Sequence, residues 1–156
     1  MRLLPLLALA LAAFAPSKAA EFDWSSMFKD GLIDAKGAAV DAGSLKGKVV
    51  AVYFSAEWCP PCKMFTPKLV EFAEVNKAKL AVVLVSSDRT PEAQSKYMTG
   101  YKMPWAATPN GSEAGKNLAK EHGIRGIPTL LVFGKDGALV SKNGRDLAEL
   151  SRILGN

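Results

Sequence analysis

Val49-Val50-Ala51-Val52-Tyr53-Phe54-Ser55-Ala56-Glu57-Trp58-Cys59-Pro60-Pro61-Cys62 passes from an unbroken apolar run into two cysteines separated by two prolines. An apolar run from Val49 to Phe54 suits a central strand buried on both faces. Pro60-Pro61 then predicts the opening of a helix, because proline is tolerated in a first turn. Phe65, Leu69, Phe72 and Ala73 recur at helical spacing and belong on its sheet-facing side. The cysteines therefore stand where a buried strand ends and a helix begins. Free N–H groups and the positive end of the helix dipole favour a thiolate on the first of them. Thiolates, not thiols, attack disulfides. Two intervening residues let the second sulfur reach back to the first.

Working outward, Leu80 to Val85 predicts a second buried strand, and Thr90-Pro91-Glu92 opens another helix. Thr129 to Phe133 predicts a third strand, turned by Gly134-Lys135-Asp136-Gly137 into a hairpin whose other arm is Ala138 to Ser141. Leu147, Leu150, Ile153 and Leu154 give a closing amphipathic helix, ended by Gly155. Before the central strand, Glu21 to Gly31 is amphipathic through Phe22, Trp24, Met27 and Phe28, and short strands are expected at Leu32-Ile33 and Ala38-Val40. His122 falls at the end of a further helix, where a surface role outweighs redox modulation. The succession of strands and helices predicts a single layered α/β domain.

The first residues stand apart. Met1-Arg2 is followed by 13 apolar residues from Leu3 to Ala15, then by Ser17 and Ala19, which are placed for cleavage after Ala19. That is the layout of a secretory signal peptide over residues 1–19, leaving a domain of residues 20–156. A bilayer-spanning helix needs roughly 20 apolar residues, so a retained anchor is the weaker reading and no stable membrane insertion is expected. Without Arg2 and Lys18 the balance is 18 basic against 15 acidic residues, or +3. The lysines are scattered among acids with no basic-aromatic stripe, so no nucleic-acid partner is expected. The expected location is outside the cytosol: periplasmic in a bacterium, otherwise secreted. Thiols there can be oxidised.

The chain holds only two cysteines, and three readings of them compete. As a structural staple, a four-residue loop contributes only about 2 kcal/mol, against about 4.7 kcal/mol for a 100-residue loop. A domain of this length can bury a full core without it. As half a zinc site, the pair lacks companions, since one histidine completes the chain's cysteine and histidine supply. A reversible redox pair fits best, with no metal and no cofactor beyond the Cys59–Cys62 disulfide.

Tyr53 to Pro67, with WCPPC at its centre and Phe65-Thr66-Pro67 at its end, resembles the active-site block of the thioredoxin superfamily, nearest its tryparedoxin and nucleoredoxin branch. Lys102-Met103-Pro104-Trp105, Gly126-Ile127-Pro128-Thr129-Leu130 and Gly144-Arg145 agree with it in order. The likeness spans about residues 45–154 and implies a thioredoxin-like fold, a central mixed sheet flanked by helices. It implies that Cys59 attacks and Cys62 resolves, that Pro128 is a cis-proline beside the sulfurs, and that the backbone at Ile127 pairs with an extended client. Trp58 becomes an apolar wall beside the sulfur, or else core. Trp105 either lines the client groove or packs in the core, and Pro67 kinks the helix. Where many thioredoxins place a buried Asp as a proton relay, this chain has Tyr53, which leaves Glu57 as the nearest acidic candidate.

The implied activity is thiol–disulfide exchange by a monomer, most naturally the reduction of disulfides in exported client proteins. A membrane-spanning or soluble thiol donor would recharge it. Pro60 and Pro61 carry no N–H, so two donors that would stabilise a Cys59 thiolate are missing, which favours a reductant. Two rival readings are an electron donor to a peroxidase and a non-catalytic binding module on the same fold.

Overall fold

The computed structural model describes residues 21–156; the signal-peptide reading of residues 1–19 falls outside them. In chain order the elements are α1 (Trp24–Met27), β1 (Leu32–Ile33), β2 (Ala39–Val40), β3 (Val49–Ser55), α2 (Pro60–Val75), β4 (Leu80–Ser86), α3 (Pro91–Gly100), β5 (Ala106–Ala107), α4 (Glu113–Glu121), β6 (Thr129–Phe133), β7 (Leu139–Ser141) and α5 (Leu147–Ile153). The seven strands form one mixed sheet in the order β2-β1-β5-β4-β3-β6-β7. β3 runs parallel to β4 and antiparallel to β6, with Ser55 opposite Ser86 and Phe54 opposite Thr129. This is the thioredoxin-like α/β fold.

Every residue of β3 is buried, and alternation divides them between two cores. Val49, Ala51 and Tyr53 pack with Phe65 and Leu69 of α2, Tyr97 and Met98 of α3 and Leu150 of α5. Val50, Val52 and Phe54 face the other way, against Trp24, Phe28 and Leu118 of the α1 and α4 layer. Burial on both faces is why the strand reads as a continuous apolar run rather than an alternating one.

The N-terminal segment is part of this body. Phe22 meets Trp24 edge to face and lies against Gly137, where any Cβ would strike its ring. Gly137 also holds φ +79°, a conformation glycine adopts freely. A second close approach is at Gly144, where a Cβ would come within 2.7 Å of Val132 Cγ2; this draws Arg145 in beside the start of β6. Among the described residues no helix is long and apolar enough to cross a membrane.

Candidate active site

β3 ends at Ser55, and three residues carry the chain to Cys59, the N-cap of α2. Its backbone is extended (φ −94°, ψ 109°), and its Sγ accepts the N–H of Cys62 at 3.3 Å. An N-cap side chain normally satisfies such first-turn donors. With Pro60 and Pro61 at the first two helical positions, the N–H of Cys62 is the first the turn can offer. The two cysteines are joined by a disulfide, with Cα atoms 5.2 Å apart. Cys62 is wholly covered, while Cys59 keeps 4% of its surface. What little exposure the pair keeps belongs to Cys59, with Cys62 wholly behind it, an asymmetry that suits attack from the first and resolution by the second.

The Ile127–Pro128 bond is cis. The Ile127 carbonyl oxygen lies 3.8 Å from Cys59 Sγ, and Ile127 packs with Ala56 and both cysteines. Antiparallel pairing of β6 with β3 puts Thr129 beside Phe54, which is what brings residues so distant in sequence to the sulfurs. Arg145 donates from Nη1 to the Pro128 carbonyl at 3.3 Å and stacks 5.7 Å above the Phe65 ring. Trp58 is 56% exposed, so it is not core; its Nε1–H donates to the Ser87 carbonyl at 3.2 Å, which fixes the indole at the surface. Exposed Pro60, Pro61 and Met64 extend the same rim.

Two expectations, for Trp105 and Glu57, need correction. Trp105 is 8% exposed and belongs to the core under α2 and α3; it precedes a β5 residue registered to Val83, well below the strand ends that carry the cysteines. It does not line a client groove. Glu57 turns its carboxylate to solvent and pairs with Lys63 at 3.2 Å, so it does not face the buried Cys62 as a proton relay. His122 caps α4 and stacks edge-on against Phe133, which pairs with Val50 at the far end of β3. Its place leaves redox modulation without a geometric basis.

Two features near the sulfurs escaped the sequence. Buried Asp88 accepts the Glu57 N–H at 3.0 Å and the Ser86 hydroxyl at 2.7 Å, holding the turn that leads to Trp58. Behind Cys62, Tyr53, Thr66, Tyr97 and Ser55 join their hydroxyls in one buried chain. Burial pushes the Tyr97 phenol well above the ordinary tyrosine value of 10.0, against the opposing pull of its bonds to Ser55 and Thr66. Polar side chains beside apolar ones at Thr66 and Tyr97 were the only signal, and they do not announce a partner.

A family profile described as thioredoxin-like matches residues 47–139. The chain is 43% identical over 115 residues to tryparedoxin of Trypanosoma brucei brucei, covering 70% of this chain and 78% of that one. It belongs to the thioredoxin-like family, in its nucleoredoxin and tryparedoxin branch. Cattle nucleoredoxin is 37% identical over 134 residues, which is 80% of this chain but 30% of that protein; the chain thus spans less than a third of that relative. Tryparedoxin II solved in complex with glutathionylspermidine superposes with a TM-score of 0.72 at 30% identity, covering 83% of this chain and 92% of that one. Within that family the Cys59–Cys62 pair at the helix mouth, with one cysteine wholly covered behind the other, has the arrangement that thiol–disulfide exchange requires.

Proposed function

We propose that this protein reduces disulfides in exported client proteins. The observation that carries the direction is the proline pair: of the first three helical positions only Cys62 supplies an N–H to Cys59 Sγ. A thiolate with few donors is less stabilised, and its disulfide is correspondingly less oxidising. In the reaction the Cys59 thiolate attacks a client disulfide, releases one client thiolate and stays bonded to the other client sulfur. Cys62 then attacks Cys59 Sγ; the intramolecular disulfide forms and the second client thiolate leaves. Two electrons pass to the client, and a thiol donor must return them. The Ile127 backbone beside Cys59 supports docking of an extended client strand, with exposed Trp58 supplying apolar contact.

The exported location rests on residues 1–19 of the sequence, with residues 20–156 as the working domain. A second reading is favoured by the match to tryparedoxin over most of that protein's length: a low-molecular-weight glutathione-type thiol, of the class present in the tryparedoxin II complex, would charge the pair, two thiols for each disulfide reduced, and a peroxidase would be its client.

Trapping separates the two. Cys62→Ala, expressed with its own N-terminus, should accumulate mixed disulfides on Cys59 with exported proteins, and Cys59→Ser should trap none. Adducts confined to one peroxidase would replace the first reading by the second. Absence of adducts from the exported compartment would overturn both.

A further inference from the structure

We propose that the buried hydroxyl chain Ser55–Tyr97–Thr66–Tyr53 is a positioning brace for the resolving cysteine, acting through the Cys62 carbonyl. Thr66 Oγ1 lies 2.9 Å from that carbonyl oxygen, and the oxygen can only accept, so Thr66 donates. The Thr66 hydroxyl has then used its hydrogen, and the contacts from Tyr53 at 2.9 Å and Tyr97 at 2.6 Å must both be donated to it. Tyr97 has in turn spent its own hydrogen, so the 2.8 Å contact with Ser55 is donated by Ser55. Every hydrogen has one acceptor, and the chain runs in a single direction onto Cys62. The Thr66 oxygen donates once and accepts twice, which leaves no lone pair to take a proton from Cys62. The device is a brace and not a base.

Its location gives the brace a task. Pro67 lies inside α2 and has no N–H, so the Lys63 carbonyl loses its usual helical partner and the first turns are held less firmly. The Thr66 hydroxyl, bonded to the Cys62 carbonyl and itself held by Tyr53 and Tyr97, links that loosened turn to β3 and α3. Cys62 has one side-chain torsion, so its sulfur goes where its backbone goes. Resolution needs that sulfur in line behind Cys59 Sγ, and small misplacement costs rate heavily. Bonds in such a chain polarise one another, so cutting it at Tyr97 weakens the tie at Cys62 without touching either cysteine.

This inference rests on the exchange activity, and the aryl disulfide 5,5′-dithiobis(2-nitrobenzoate) tests the two separately. Reduced protein releases one arylthiolate in a concentration-dependent phase, when Cys59 attacks. A second leaves in a unimolecular phase, when Cys62 displaces it. Thr66→Val removes the tie itself; it should slow the second phase about fivefold, the loss of about one net hydrogen bond, and leave the first within about twofold, while Thr66→Ser, which keeps the hydroxyl, should restore it. Tyr97→Phe keeps the ring and its packing and weakens the tie without removing it, so it should slow the second phase by a smaller factor in the same direction. Should Thr66→Val fail to fold, Tyr97→Phe and Thr66→Ser carry the test. An unchanged second phase in Tyr97→Phe, equal slowing of both phases, or a Thr66→Ser protein as slow as Tyr97→Phe would each overturn the brace. A wild type that releases no second equivalent would sink the redox pair itself.

Discussion

Replacing Pro61 by Ala returns one N–H to the mouth of α2, and its effect on the reduction potential can be worked from the capping geometry. An N-cap side chain accepts from the second or third helical position. The third already donates to Cys59 Sγ from Cys62, at 3.3 Å, and Pro61 fills the second. Cys59 is nearly covered, so the new donor would act with little competition from water. A hydrogen bond to a charged group contributes about 1.5–3 kcal/mol, and for a two-electron couple about 30 mV corresponds to about 1.4 kcal/mol. Because a thiolate accepts far more strongly than a disulfide sulfur, the gain falls on the reduced state, and the potential should rise by about 30–60 mV. The loss of proline rigidity acts through the unfolded chain and is common to both redox forms, so it drops out. Equilibration against a glutathione buffer reads the shift, at a pH where Cys59 is ionised in the reduced protein. Pro60→Ala is the internal control, since the first helical N–H is not the one an N-cap side chain takes. An unchanged or lowered potential in Pro61→Ala, or a larger rise in Pro60→Ala, would refute the reasoning.

Trp58→Ala should leave stability within about 0.5 kcal/mol, as surface substitutions do, yet slow reduction of a protein disulfide several-fold more than that of a small aryl disulfide; parallel melting and turnover measurements check this. Trp105→Ala should cost about 3–5 kcal/mol in a urea titration, as buried tryptophans do. Trp105→Phe should cost much less, because the indole N–H has no hydrogen-bond partner to lose. Tyr97 contributes a pH dependence whose sign follows from its raised value. Its stabilisation is complete below the unfolded value of 10.0 and is lost as pH rises beyond it, since the unfolded chain releases the proton first. Urea midpoints at about pH 8 and about pH 11 should therefore fall less in Tyr97→Phe than in the wild type.

The sequence was most readable where one local rule and one tertiary fact agree. β3 is continuous apolar because both its faces are covered, and α2 starts where two prolines can sit without losing a bond. The hairpin of β6 and β7 is legible for the same reason, since Gly137 meets both a backbone and a space requirement. β5 was not legible: two alanines have no period, and only pairing with Val83 and Leu84 makes them a strand. α4 was read only at its C-terminal end, because three buried residues, Ala114, Gly115 and Leu118, give it too small an apolar face. The hydroxyl chain was beyond reach for a different reason. Its bonds join β3, α2 and α3 across separations of 13, 31 and 42 residues, and no spacing rule connects them.

That unread part bears on the chemistry more than the fold does. Behind the resolving cysteine stand the hydroxyls of Thr66 and Tyr53, and the two acids flanking the active-site turn are engaged elsewhere, Glu57 with Lys63 and Asp88 with Ser86 and a backbone N–H. A buried thiol with no base beside it parts with its proton when something nearby becomes basic, and the departing client thiolate does so at the moment of resolution. What the protein can then control is where the Cys62 sulfur stands when that happens. A one-way chain of hydroxyls ending on the Cys62 carbonyl controls position and nothing else, which is the contribution such a reaction still needs.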